Sequence, residues 1–240
     1  MSQYSTYRLG DISRKLDHAR FYPLDVMVTG VTGAGKSSTL NALFLREIAR
    51  VGRGCEPETM GIDHYRMNER IRLWDTPGLG DGIAADLRHQ KAMIDLLTRT
   101  YTHQDGVFGL IDLALVVIDG SGRDLGATYS LINDTLLPYL AADRVMVVIN
   151  QADIAMKGRH WDDERRKPLP ALREFLDDKA LSIQKRVREA TGLSIRKPIY
   201  YSAEYHYNIP AFFDFIIEHI PTKRRNLDIC SQRIASGFRR

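Results

Sequence analysis

Residues 30–37, Gly-Val-Thr-Gly-Ala-Gly-Lys-Ser, set glycines, a lysine and a hydroxyl at the spacing of a polyphosphate cradle. Glycines let the backbone curl so that successive N–H groups converge on phosphate oxygens, and a helix starting there adds its positive dipole end. Lys36 would bring a point charge to the β- and γ-phosphates, and Ser37 a hydroxyl to Mg2+. That chemistry needs a strand before the loop and a helix after it. The apolar run Val26-Met27-Val28 supplies the first, and the helical pattern from Ser38 through Ile48 the second.

Two further constellations follow apolar runs. Asp75-Thr76-Pro77-Gly78 comes directly after Ile71–Trp74. A carboxylate there can hold Mg2+, often through water, and Gly78 allows a backbone N–H to approach a γ-phosphate. Asn150-Gln151-Ala152-Asp153 comes after Val145–Ile149. Asp153 can accept two hydrogen bonds from guanine N1–H and N2–H2, a pair adenine does not offer, while Asn150 would brace the loop. Ser202-Ala203, after Ile199-Tyr200-Tyr201, is placed to meet the guanine carbonyl through backbone N–H groups. None of these short pieces is specific alone; their order after successive strands is.

Apolar runs with the length and β-branched content of central strands are Leu24–Thr29, Ile71–Trp74, Leu113–Asp119, Val145–Asn150 and Pro198–Ser202. Tyr65-Arg66-Met67 reads as the first arm of a hairpin closed by Ile71–Trp74. Helical patterns alternate with the strands. Leu87, Ile94, Leu97 and Tyr101 form one face, and Leu172, Leu176, Ile183, Val187 and Ala190 another, with Gly192 at the C-cap. A last helix follows Pro210 and carries Phe212, Phe213, Ile216, Ile217 and Ile220, a face suited to covering a sheet. The expectation is a three-layer α/β fold, a mostly parallel sheet with one antiparallel edge strand and helices on both faces. Residues 1–22 read as an N-terminal arm or helix, 23–221 as the nucleotide-binding domain and 222–240 as a basic tail.

The 240 residues are 44% hydrophobic and 27% charged, which fits one well-filled domain. No apolar run reaches the roughly 20 residues that span a bilayer, and residues 1–14 lack a signal-peptide apolar core. Cys55 and Cys230 show no metal-ligand spacing and read as free thiols in a reducing cytoplasm. His64, His89, His103, His160 and His206 form no zinc pattern, and Ser121 and Ser202 form no nucleophile elbow. Arg123 and Asp124 read as a loop ion pair at the ligand-facing strand ends. The segment Lys157–Lys167, with Trp161, reads as a recognition loop or a charged surface anchored by one aromatic. The C-terminal Lys223, Arg224, Arg225, Arg233, Arg239 and Arg240 face only Asp228, which suggests a solvated tail or one that touches RNA or an anionic membrane.

The series GVTGAGKS, Thr59, DTPG, NQAD and YSA resembles translation-factor-class GTPases, in particular the Era-like group. WDTPGLGDG, NQADIAMKGRHWD and PIYYSAEY look like its prophage-associated 50S ribosome-binding GTPase subgroup. The resemblance implies a Mg2+-dependent GTP/GDP switch. It assigns phosphate binding to Gly33, Ala34, Gly35, Lys36 and Ser38, Mg2+ to Ser37, Asp75 and Thr59, and γ-phosphate sensing to Thr59 and Gly78. Guanine falls to Asn150, Gln151, Asp153, Ser202 and Ala203. Catalysis would rest on Lys36, Thr59 and Gly78.

This chain departs from the family at three places. Gln151 stands where the family has a lysine whose stem covers the guanine face, a loss on the order of 1 kcal/mol. Leu79 stands where Ras-like proteins place a water-orienting glutamine, a trait that Era-like proteins commonly share, so hydrolysis is not abolished but intrinsic turnover should be slow. Gly33 replaces the asparagine of potassium-activated relatives. The resemblance to septin-related GTPases implies a homodimer across the nucleotide face, and ribosome or RNA binding follows by family analogy alone. A GTP-binding interaction module with little or no hydrolysis is the second reading, and an ATPase or small-molecule kinase the third.

Overall fold

The computed structural model describes residues 6–21, 23–44, 63–103, 106–122 and 125–225. In chain order these form α1 (Leu9–Ala19), β1 (Leu24–Gly30), α2 (Lys36–Phe44), β2 (Asp63–Arg66), β3 (Ile71–Asp75), α3 (Ile83–Thr98), β4 (Thr100–His103), β5 (Gly106–Gly109), β6 (Leu113–Asp119), α4 (Gly126–Ser130), β7 (Val145–Asn150), β8 (Trp161–Asp162), β9 (Lys167–Pro168), α5 (Pro170–Thr191) and α6 (Ile209–Glu218). Helix α4 continues into a π-helical turn, Leu131–Leu136.

Side chains alternate across a strand, so a strand covered on both faces must be apolar at nearly every position. Leu24, Val26 and Val28 of β1 join α1, α2 and α6 on one face, while Met27 joins α3, the π turn and α5 on the other. In β6, Leu113, Leu115 and Val117 divide from Ala114, Val116 and Ile118 in the same way. The sheet runs β2-β3-β1-β6-β7, parallel throughout except for the edge hairpin, where Tyr65 pairs with Leu73. This is the α/β class expected, with one antiparallel edge strand and helices on both faces.

Several local expectations are corrected. Pro198–Ser202 makes only an isolated bridge to β7, through the Ile149 N–H to Ile199 O and Tyr201 N–H to Ile149 O bonds, each 2.9 Å. Helix α3 buries Met93, Leu96 and Leu97 and leaves Leu87 62% exposed. Tyr101 lies not in that helix but in the β4–β5 ribbon. Ala190 is exposed, and Ala180 takes its place on the buried face of α5. Arg224 and Arg225, expected in a solvated tail, are buried: Arg224 stacks 4.6 Å over the Phe108 ring and donates to Arg20 O, and Arg225 donates to Leu97 O at 2.6 Å. Arginine tolerates this because its planar fork satisfies several carbonyls while its stem stays in apolar surroundings. Cys55, Thr59, Arg123, Asp124, Cys230 and residues 226–240 lie outside the described residues.

At the start of β1 a buried carboxylate ties two strands together. Asp25, 2% exposed, accepts from Arg72 Nε at 2.5 Å, Arg72 Nη2 at 2.9 Å and Trp74 Nε1 at 2.6 Å. Removing it strands a guanidinium and an indole N–H together, and a broken buried pair costs more than the intact pair contributes. Asp25→Ala should therefore destabilise the fold by about 3–5 kcal/mol in urea unfolding. A loss below about 1 kcal/mol would reduce this network to the worth of a surface pair.

Candidate functional site

The carboxyl ends of β1, β3 and β7 and the segment after Tyr200 meet at one edge of the sheet. β1 closes on Gly30, where a Cβ would stand 2.3 Å from Val117 O, so only glycine lets β6 run alongside. Gly33 and Gly35 have φ of 80° and 82°, the left-handed region that turns the loop back into α2. Ser37 and Ser38 sit half-buried in the first turn of α2. The loop thus opens at the N-terminus of α2, whose first amides have no carbonyl of their own helix to meet.

Lys36 begins that helix and lies 8% exposed, with Nζ 3.3 Å from Gly30 O and 3.1 Å from Val31 O. Burial lowers its pKa to about 8, against the pull of Asp75 and Asp81. Asp75, at the end of β3, accepts from Ser37 Oγ at 3.3 Å through Oδ2, while its buried Oδ1 has no hydrogen-bond partner. Burial raises its pKa to about 6, with Lys36 and Ser37 opposing. Two hard oxygen donors, one not yet satisfied, suit a divalent cation. Among the described residues no group of three or more His, Cys, Asp or Glu forms a self-sufficient metal cage.

Gly78 runs hard against the loop: a Cβ would lie 2.5 Å from Thr32 Oγ1 and 2.7 Å from Lys36 Nζ. The chain beyond it is zipped to the loop by the Thr32 N–H to Leu79 O bond, 2.7 Å, and by Thr32 Oγ1 donating to Asp81 at 2.8 Å. The Leu79 side chain turns into the core. His89 Nδ1 sits 2.6 Å from Gly78 O, and since a carbonyl only accepts, Nδ1 carries the proton.

Asn150 joins this phosphate-sized cup to the other end of the cleft. Its Nδ2 donates to Ala34 O at 3.1 Å and Gly35 O at 3.3 Å, and its Oδ1 accepts from Ala203 N at 3.1 Å. Gln151, at φ 61°, reaches back to donate to Gly33 O at 2.9 Å. Asp153 is 9% exposed, and its buried Oδ1 has no partner. The Ser202 N–H is taken by Tyr207 O at 3.1 Å and its Oγ by Tyr205 N at 3.2 Å, so Ser202 shapes the loop through internal bonds. The fold therefore gathers Gly33, Ala34, Gly35, Lys36, Ser37, Ser38, Asp75, Gly78, Asn150, Gln151, Asp153, Ser202 and Ala203 along one sheet edge; Thr59 is outside the described residues. Thr39, Tyr201 and His89 also belong to this edge. Sequence reasoning missed them because nothing in their spacing marks them.

A charge costs more to bury than its neutral form, so Asp75 makes stability depend on pH. Its folded pKa, about 6, lies above the ordinary 3.8, so the stability it lends is full below 3.8 and lost as pH rises through 6. Asp75→Asn should match wild type at low pH and become more stable by about 3 kcal/mol near neutrality. Denaturant unfolding between those limits measures the gap; a gap that does not widen with pH contradicts the burial of a costly charge.

Residues 25–151 match the 50S ribosome-binding GTPase family. No curated protein matches the sequence. Toc33 from Arabidopsis thaliana in complex with GDP and Mg2+ has a similar fold, with a TM-score of 0.63, 18% identity and coverage of 94% of this chain and 95% of Toc33. Era in complex with MgGDPNP and a stretch of 16S ribosomal RNA gives 0.57 at 16% identity, over 83% of this chain and 57% of Era. At such identities the likeness is one of fold. The family match spans more than half of the 240 residues, and on that ground the chain belongs to the 50S ribosome-binding GTPase family.

Proposed function

We propose that this chain is a guanine-nucleotide switch that binds GTP with Mg2+ and hydrolyses it slowly to GDP and phosphate. The observation that carries the reading is that Asp75 Oδ1 and Asp153 Oδ1, two of the three buried carboxylate oxygens without a partner among the described residues, stand at the end of β3 and after β7, where Ser37 and Asn150 tie their segments to the phosphate loop. Unpaired buried oxygens are costly, and a cation at Asp75 and the guanine N–H groups at Asp153 would complete these two. Asp153 would take the guanine N1–H and N2–H2 pair, with Asn150, Gln151, Ser202 and Ala203 shaping the wall around the base. Gly33, Ala34, Gly35 and Ser38 would present amides to the phosphates.

The donor set of Ser37 and Asp75 fits Mg2+, which when bound would neutralise charge on the phosphate oxygens; Thr59 is assigned to it by family likeness. Lys36 loses its two carbonyl contacts and turns its ammonium to the β- and γ-phosphates, meeting the charge that grows there as the bond breaks. The Gly78 N–H would hold the γ-phosphate side. Leu79 places no polar atom where an attacking water must be oriented, which supports slow turnover. Leu79 also keeps alive the second reading, a GTP-binding interaction module with little or no hydrolysis.

The finer likeness, to the prophage-associated subgroup, rests on the motif strings alone. Dimerization is important for the GTPase activity of the chloroplast translocon components atToc33 and psToc159, and Era is bound to ribosomal RNA. A homodimer across the nucleotide face, which could bring the missing catalytic group in trans, and an RNA or ribosomal partner are proposals by that analogy. No helix among the described residues is long and apolar enough to cross a membrane. A cytoplasmic site of action is proposed from the two cysteines read as free thiols.

Single-turnover incubation with labelled GTP and Mg2+ should release phosphate over minutes to hours, and removing Mg2+ should stop it. No release at high protein concentration, with binding intact, would favour the interaction module. Asp153→Asn should weaken GTP at least roughly tenfold and improve xanthosine triphosphate, as expected when one acceptor becomes a donor. Equal competition by ATP and GTP against labelled GDP would remove the guanine assignment.

A further inference from the structure

Tyr201 is wholly buried, its ring stacked on Phe212 at 4.6 Å and 6°. Its hydroxyl lies 2.7 Å from Thr39 Oγ1, which in turn lies 2.7 Å from Gly35 O. The direction of this chain follows from valence. A carbonyl only accepts, so the single Thr39 hydroxyl proton goes to Gly35 O, and the shared contact must be donated by Tyr201. The result is a one-way relay, Tyr201 O–H to Thr39 O–H to Gly35 C=O, in which each bond polarises the next.

The two ends of the relay belong to different parts of the cleft. The Tyr201 backbone pairs with the loop that carries Asp153: its N–H donates to Ile149 O at 2.9 Å and its carbonyl accepts from Ala152 N at 3.1 Å. Gly35 O belongs to the peptide whose N–H is that of Lys36. In a trans peptide the C=O and N–H point opposite ways, so gripping the carbonyl from the helix side turns the Lys36 amide toward the cup. Thr39 N–H, at 2.9 Å, and Asn150 Nδ2 hold the same oxygen.

We infer that Tyr201 is a positioning residue that couples the purine end of the cleft to the phosphate end, by fixing the Gly35–Lys36 peptide through Thr39. The inference rests on the nucleotide-binding reading above and deepens it. Tyr201 touches neither base nor phosphate in this account; it acts by keeping the amide cup preformed, so that ligand binding does not have to order it. An aromatic that only fills the core would be served equally by phenylalanine.

Binding of fluorescent GDP, measured well below the melting temperature, tests it alongside thermal unfolding. Tyr201→Phe keeps the stacked ring and should weaken GDP roughly three- to tenfold while leaving the melting temperature nearly unchanged. Thr39→Val should also weaken GDP and, by leaving the Tyr201 hydroxyl buried without a partner, lower the melting temperature. Adding Tyr201→Phe to Thr39→Val should restore the melting temperature yet cost no further affinity. Unchanged GDP affinity in Tyr201→Phe, or losses that simply add in the double variant, would overturn the relay while leaving nucleotide binding by wild type intact. Wild type that binds no GDP at all would fell the reading and the inference together.

Discussion

Asn150 occupies the point where the architecture of the sheet becomes the architecture of a site. Its amide is buried and bridges two other segments: Nδ2 donates to two carbonyls of the loop after β1, and Oδ1 accepts from the Ala203 N–H. A buried amide left half-paired costs on the order of 1–3 kcal/mol, so the three segments are held in register by the expense of separating them. The close approach has a steric condition as well. A Cβ on Gly35 would lie 2.3 Å from Asn150 Nδ2, and one on Gly120 2.6 Å from Asn150 O. Glycine at both places is the condition for the asparagine to reach its partners.

The electrostatics of the cup follow from the same closeness. Lys36 and Asp75 are both nearly dry, and each is shifted toward its neutral form chiefly by desolvation. Their mutual attraction and the surrounding dipoles only partly offset this. A cleft in this condition is unfavourable to itself and receptive to a ligand that carries compensating charge. Lys36 meanwhile rests on two backbone carbonyls, a temporary partnership that an anionic group would readily displace.

Much of this is legible in the sequence. The strands of the sheet core are runs such as Leu113–Asp119, where burial on both faces forces apolar residues at consecutive positions, and the loops that matter follow directly from their ends. Periodicity failed where tertiary contacts reversed a local pattern. Leu87 fits a helical face with Leu97, but the first turns of α3 stand clear of the sheet and leave Ile83 and Leu87 at 84% and 62% exposure. Tyr101 continued the same count into what is a β-ribbon. Arg224 and Arg225 look like tail residues by charge alone; only the rings and carbonyls around them, from Phe108, Leu97 and Arg20, explain their burial. Tyr201 and Thr39 are separated by 162 positions, a distance across which no spacing rule operates.

Leu79 shows how a single side chain can be read from two sides. As chemistry it is a loss, since an apolar group orients no water. As structure it anchors: its side chain joins the core under β3, its carbonyl accepts from Thr32 N, and its N–H reaches Gly30 O at 3.4 Å. With His89 gripping the Gly78 carbonyl, the chain beyond β3 lies against the phosphate loop through a single bridge between Leu79 and Val31. A polar residue at 79 would be poorly housed in that apolar seat, and the pairing with Thr32 would slacken. The position therefore trades a group that could steer water for one that fixes the backbone beside Lys36. Under the proposed function, that trade favours a durable bound state over rapid turnover.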